Sequence, residues 1–331
     1  MKAAVVGCGT IAGRWIRSLA ADGRVSVDVL VDPDRAAAEH LAERYDLNAA
    51  YAPTLEQALN GHGVDVVVNL TPPQLHLQTC RTALEAGAHV LTEKPLTLRL
   101  TDAIALVQLA QRKGLVLAVM QNRGNDPQFL AFRDQVHLLG RPPYLVTADT
   151  LVPLHAPGFR QGQQLPVTSD LAVHAFDQVR ALITAQPVEV TCVETPVRFL
   201  DTHCAATAIT VRFADGSLFN YRGAFTASSG LRTDAGGSWR VEGRGFAASW
   251  TVGADITIAD SSGTHTAERP AQPEVPGYQL CIAEMIDTIH RSDSTCPAAD
   301  NLPSIALLDA AITSAHGRRP VLVHRVPQRL P

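Results

Sequence analysis

The chain has 331 residues, more than the roughly 250 that a single core usually serves, so about two domains are expected. Hydrophobic residues make up 46% and charged residues 18%, enough apolar material to exclude wholesale disorder. A net charge of −4 without any basic cluster excludes the electrostatic footprint of a nucleic-acid binder.

Strand-like residues begin at Lys2, directly after Met1, leaving no room for a secretion signal and pointing to the cytoplasm. No apolar run approaches the ~20 residues of a membrane helix, so no span is expected. In chain order, apolar runs of strand length stand at residues 3–6, 25–31, 64–70, 89–92 and 115–120. Helical spacing follows them around Trp15, Ile16 and Leu19, then over 36–45, 75–86 and 103–112. Gly87 and Gly114 stand just past the last two, where a left-handed closing residue is wanted. Repeated βα units with strands apolar on both faces imply a doubly wound parallel sheet, a Rossmann domain over residues 1–122.

Beyond Arg123 the rhythm changes. Strands are expected at 145–149, 188–193, 206–213, 217–227, 238–242 and 255–259, with a hairpin at Ala214-Asp215-Gly216. Helices are expected at 170–182, 279–289 and 303–315, and the Ser-, Thr- and Pro-rich stretch 260–276 reads as a surface loop. Residues 123–331 therefore read as an α+β domain on a large, mostly antiparallel, open-faced sheet. Cys8, Cys80, Cys192, Cys204, Cys281 and Cys296 are scattered without a CxxC pair, so reduced structural thiols are expected and no metal site.

Val5-Val6-Gly7-Cys8-Gly9-Thr10-Ile11-Ala12 is a strand running into a G-x-G-x-x-A turn that opens a helix. Gly7 allows the tight turn, Gly9 lets backbone approach a pyrophosphate, and Thr10 and Ile11 stand at the helix N-terminus that offers free N–H groups to the anion. Asp32, about 20 residues beyond Ala12, is placed to accept hydrogen bonds from an adenosine ribose. That carboxylate favours NAD over NADP: a 2′-phosphate would meet Asp32 and Asp34, although Arg35 stands close by. Asp34 is expected to cap the helix that begins near Arg35.

Thr71-Pro72-Pro73-Gln74-Leu75-His76 and Thr92-Glu93-Lys94-Pro95 close two further strands at the sheet edge where ligands bind. Only Lys2, Lys94 and Lys113 of the 28 basic residues are lysines, so a strand-end lysine beside a proline points to a need for a compact ammonium. A solvated surface lysine is the plainer alternative. In Ser169-Asp170-Leu171-Ala172-Val173-His174-Ala175-Phe176-Asp177, spacings of four and seven place Asp170, His174 and Asp177 on one helical face, with Ser169 as a possible cap. Three readings stay open for that face: a first-turn acid with a core histidine, a metal site lacking a fourth ligand, or a catalytic pair.

Together these residues resemble the Gfo/Idh/MocA family of oxidoreductases, named for glucose-fructose oxidoreductase and inositol dehydrogenase. The resemblance rests on the G-x-G-x-x-A turn, Thr71-Pro72-Pro73 through His76, Glu93-Lys94-Pro95, Gln121-Asn122-Arg123 and the Asp170, His174 and Asp177 set, with late matches at 241–245 and 314–321. It implies a catalytic set of Lys94, Asp170 and His174. It adds Thr71, Pro72, His76, Glu93, Lys94 and Asn122 to the cofactor site, and places Lys94, Arg123, Arg160, Asp170 and His174 around the substrate. It also implies NAD or NADP, a sugar or cyclitol substrate, and a homodimer or homotetramer formed through the C-terminal sheet. This chain departs from the family at 165–169, where Leu-Pro-Val-Thr-Ser replaces a run of glycines, and at Gly124, where a second arginine is usual.

The expected activity is an NAD-dependent interconversion of a secondary hydroxyl and a ketone, with His174 as acid and base and Lys94 on the reacting oxygen. Arg123 and Arg160 would suit an anionic substrate, since guanidinium forks match carboxylate and phosphate. The alternative is a non-catalytic dinucleotide-binding sugar sensor, which would have no need of both Lys94 and His174.

Overall fold

A computed structural model of the chain describes residues 1–153, 163, 165–196, 205–226, 230–271, 277–291 and 296–326. These fall into two units: Met1–Asn122 with 277–305, and the remaining described residues between 123 and 326.

In the first unit six parallel strands run in the order β3-β2-β1-β4-β5-β6. They are β1 (Lys2–Val6), β2 (Ser26–Val31), β3 (Ala50–Ala52), β4 (Val66–Asn69), β5 (His89–Thr92) and β6 (Leu117–Val119). Every residue of β4 is buried, so both faces of the sheet are covered there. The crossovers are α1 (Ala12–Asp22), α2 (Arg35–Arg44), α3 (Leu55–His62), α4 (His76–Glu85) and α5 (Leu100–Lys113). Local chemistry starts these helices: Asp34 accepts from the Ala36 N–H at 3.0 Å, and Thr54 accepts from the Gln57 N–H at 3.4 Å. Gly87 and Gly114 have φ of 89° and 63°, as the sequence suggested.

The short β3 and α3 are not apparent from the apolar pattern. A three-residue edge strand carries too little periodicity to stand out. The larger difference is α8 (Tyr278–His290), expected in the second domain and found in the first unit. Its buried Tyr278, Cys281, Ile282, Met285 and Ile286 join one core with Trp15, Ile16 and Leu19 of α1. The Tyr278 and Trp15 rings meet edge to face, 6.0 Å apart, and Asp287 pairs with Arg24.

The second unit is built on nine strands in the order β14-β13-β12-β11-β7-β10-β9-β8-β15. They are β7 (Pro143–Pro153), β8 (Pro187–Pro196), β9 (Ala205–Phe213), β10 (Leu218–Thr226), β11 (Ser238–Gly243), β12 (Phe246–Thr251), β13 (Ile256–Asp260), β14 (Gly263–Ala267) and β15 (Val321–Leu322). Pairing is antiparallel except at the centre, where β7 and β10 run parallel. There Arg222 and Asp149, register partners, form a two-pronged ion pair at 2.6 and 2.7 Å.

The stretch read as a surface loop contains β14, which pairs with β13 through Gly263–Ala267. Its Thr and His side chains are exposed, so no apolar alternation marks it. The helices are α6 (Pro127–Leu138), capped by Asp126 and not expected from the sequence, α7 (Val173–Leu182) and, from Ala306 on, α9 (Ala298–Gly317), which begins before the expected Pro303. Phe129 and Phe132 of α6 pack against Trp239 and Trp250, each aromatic contributing ~1.5–3 kcal/mol by its burial.

Candidate functional site

At the C-terminal end of β1 the chain must turn sharply under its neighbour. Gly7 has φ of 99°, and a Cβ there would lie 2.8 Å from the Leu70 carbonyl oxygen, so only glycine fits. Gly9 differs: a Cβ would meet nothing within 4 Å, and the residue is exposed. Thr10 and Ile11 then lead into α1, where Ile11 makes no side-chain cap. The helix N-terminus is thus left to whatever approaches Gly9.

Because β1 and β4 are neighbours while the chain winds outward on both sides of them, their C-terminal ends form the switch point of the sheet. Asp32 follows β2 at this edge. Its Oδ2 accepts from the Cys8 N–H at 2.8 Å and its Oδ1 from the Asp34 N–H at 2.9 Å. Burial, with the Asp32 charge adding, pushes the Cys8 thiol up to about 12, so Cys8 stays protonated. Arg35 pairs with Glu39 at 2.7 Å and lies over the Tyr51 ring.

The ends of β4 and β5 are tied to each other. Asn69 donates to the Thr92 hydroxyl at 3.0 Å and accepts from both the Thr71 N–H and the Thr71 hydroxyl, at 3.2 and 2.7 Å. His76, wholly buried, sets Nδ1 2.6 Å from the Pro95 carbonyl and Nε2 2.8 Å from the Thr71 carbonyl. Burial holds its pKa below the usual value, Lys94 adding to the effect while the two carbonyls oppose it. The ring therefore shows no face to a cofactor; it joins the Thr71-Pro72 loop to the Glu93-Lys94-Pro95 segment.

Glu93 is likewise turned inward, 8% exposed. Its carboxylate accepts from the Trp15 indole N–H at 2.7 Å, the Tyr278 hydroxyl at 3.3 Å and the Lys94 N–H at 3.2 Å. Burial raises its pKa, with Lys94 the largest opposing influence. Glu93 thus anchors the segment, while Lys94, half-buried, follows it at the strand end. Asn122 packs its backbone against Gly277, where a Cβ would clash with the Asn122 carbonyl.

The second unit holds Asp170, His174 and Arg123; Arg160 lies outside the described residues. Asp170 and His174 are buried, at 9% and 3% exposure. The helix that carries them opens with a π-helical turn, Thr168–Ala172, before α7. The four-residue step from Asp170 to His174 thus crosses a π-helical turn, while His174 and Asp177 both lie in α7, three residues apart. Asp177 pairs with Arg180 at 3.7 Å. Ser169 is not a cap: it sits inside the run, and its hydroxyl donates to the Leu165 carbonyl at 2.8 Å.

Two polar residues not singled out from the sequence stand near them. Glu194 of β8 accepts from the Val167 and Thr168 N–H groups. Tyr221 of β10, 1% exposed, has its phenol pKa raised by burial; the Asp170 and Glu194 charges add to this and Arg123 opposes it. The signal for Glu194 was its phase: residues 190, 192 and 194 share the inward face of β8. Among the described residues no group of three His, Cys, Asp or Glu could hold a metal ion.

Residues 1–121 match the model of the Gfo/Idh/MocA oxidoreductase family, NAD-binding Rossmann fold. A myo-inositol dehydrogenase of Streptomyces leeuwenhoekii is 36% identical over 194 residues, 57% of this chain and 58% of that one. A UDP-N-acetylglucosamine 3-dehydrogenase of Acidithiobacillus ferrooxidans is 35% identical over 130 residues, 39% of each chain. The matches thus span from about two-fifths to three-fifths of the length of these curated relatives. The fold extends over the whole chain: an oxidoreductase of Agrobacterium radiobacter, crystallised with NAD+, L-tartaric acid and magnesium, superposes with a TM-score of 0.83 over 98% of both chains at 18% identity.

Proposed function

We propose that the chain, whose residues 1–121 match the model of the Gfo/Idh/MocA oxidoreductase family, NAD-binding Rossmann fold, is an oxidoreductase of that family and interconverts a secondary hydroxyl and a ketone on a sugar, sugar derivative or cyclitol. One observation carries this reading. The switch point of the parallel sheet brings together an α1 N-terminus without a side-chain cap, an open Gly9 and the Asp32 carboxylate, a cradle that fits a dinucleotide.

Gly7, Gly9, Thr10 and Ile11 would hold the pyrophosphate and Asp32 the adenosine ribose, while Thr71, Pro72, Lys94 and Asn122 would line the nicotinamide end. NAD, when bound, supplies the hydride acceptor. The Lys94 ammonium donates to the reacting oxygen and stabilises it as negative charge develops. His174 takes the hydroxyl proton in oxidation and returns it in reduction. Asp170 orients the imidazole or a neighbouring substrate hydroxyl. Arg123 is assigned to the substrate, where its guanidinium favours a carboxylate- or phosphate-bearing sugar. His76 and Glu93 act through the loops they hold.

Along β9 buried and more exposed residues alternate, leaving one sheet face open, and we assign that face to a homodimer or homotetramer. Among the described residues no helix is long and apolar enough to cross a membrane, and a cytoplasmic enzyme is the accompanying proposal.

The test is to incubate the purified full chain with NAD and a panel of polyols, cyclitols, sugars and their acidic or phosphorylated forms, following the reduced nicotinamide. Turnover of at least one member is expected. Tight NAD binding without any turnover would overturn the enzyme reading in favour of a sugar sensor.

A further inference from the structure

The start of the helix that carries Asp170 and His174 is fastened by a strand carboxylate. Glu194 of β8 divides its two oxygens between consecutive amides: Oε1 accepts from the Val167 N–H at 3.0 Å, and Oε2 from the Thr168 N–H at 2.8 Å. First-turn amides have no partner within their own helix, and a buried one left unmatched costs ~1–3 kcal/mol. The carboxylate satisfies two at once and places negative charge at the positive end of the helix.

The surroundings hold this contact in place. The Thr168 hydroxyl lies 3.1 Å from the Thr207 hydroxyl of β9, which in turn donates to the Val193 carbonyl at 3.2 Å. Val167 and Leu171 pack with Ala205 and Phe225 in one small apolar cluster. The attachment therefore reaches β8 and β9, and the π-helical turn Thr168–Ala172 begins at the fastened residue. Asp170 lies within that turn and His174 just beyond it. A π turn is a local departure from the regular helix, so its register must be set by contacts from outside.

We propose that Glu194 is a positioning residue, whose doubly accepting carboxylate sets the register of the π-helical turn and hence the placement of Asp170 and His174. Its functional consequence rests on the dehydrogenase reading above; its structural consequence does not. Glutamine has the same shape but one acceptor oxygen, so one of the two amides would face an NH2 group instead. Aspartate keeps the charge but loses a methylene of reach.

The experiment uses the full chain with isotope-labelled histidine. The His174 ring signal is assigned by its loss in His174→Gln and then followed in Glu194→Gln and Glu194→Asp. We expect Glu194→Gln to shift or split the His174 signal while the His76 and His89 signals of the first unit stay in place. On a substrate found in the panel, kcat should fall by about 10- to 100-fold with NAD affinity unchanged, as expected when a reacting group is displaced by ~1 Å. An unchanged His174 signal in either folded variant overturns the proposal. If the wild type turns over nothing, the dehydrogenase reading fails by itself and the histidine signal still decides the role of Glu194.

Discussion

Asp32 accepts a hydrogen bond from the Cys8 N–H at 2.8 Å, so the carboxylate that follows β2 also steadies the glycine-rich turn after β1. One group thereby serves the protein's own backbone and the place where an adenosine ribose would lie. The neighbouring Asp34 adds negative charge while capping α2, and Arg35 is engaged with Glu39. NAD should therefore bind at least tenfold more tightly than NADP, a difference of ~1.4 kcal/mol. Asp32→Ala should weaken NAD binding by a similar factor. Calorimetric titration with both cofactors checks this, and a preference for NADP would show that Arg35 governs the site.

Gly7 and Gly9 should respond differently to alanine. At Gly7 the new Cβ meets the Leu70 backbone at 2.8 Å under a left-handed φ, so Gly7→Ala should destabilise the protein by at least ~1–3 kcal/mol. At Gly9 a new Cβ would meet nothing within 4 Å beyond the adjoining residues, so Gly9→Ala should leave the melting temperature unchanged and weaken NAD binding instead. Thermal melts with and without NAD separate the two. A destabilised Gly9→Ala would mean that this glycine serves the fold.

Lys94→Ala and His174→Ala should each lower kcat/KM by ~10²-fold or more while NAD affinity stays near the wild-type value. Lys94→Arg should not restore activity, because a planar fork does not replace a compact ammonium. Near-wild-type turnover in either alanine variant would remove that residue from the mechanism as written, and an active Lys94→Arg would show that any cationic donor serves there.

Burial lowers the His76 pKa from its ordinary 6.5, so the folded state resists a proton that the unfolded chain accepts. Its contribution to stability is therefore present above pH 6.5 and lost as pH falls through the lower folded value. Urea midpoints measured between about pH 8 and pH 5.5 should drop for the wild type and drop less for His76→Gln. His89, also lowered by burial, contributes to the same slope in both proteins, so the difference isolates His76. Equal slopes would show that folding leaves the His76 pKa unshifted.

Much of the first unit was legible in the residues themselves. Strands buried on both faces are continuous apolar runs, and the Gly7-Cys8-Gly9 turn with Asp32 has a local cause in strand, turn and helix succeeding one another. The Asp34 cap follows from the same short-range chemistry. Lys94 stood out because this chain otherwise uses arginine almost everywhere.

Tertiary structure decided what depends on partners distant in the chain. That His76 and Glu93 face inward follows from Pro95, Trp15 and Tyr278, the last on a helix whose own periodicity cannot say which core it will join. The parallel pairing of β7 with β10 and the short β14 likewise rest on neighbours that hydrophobic alternation does not name. The π-helical turn arises where the helix start is held by Glu194 of β8, and no counting along one helix could have found it. Sequence determines what is local, because propensity and capping act over a few residues; packing decides the rest, because a buried polar group takes its role from whichever partner the fold brings within hydrogen-bond reach.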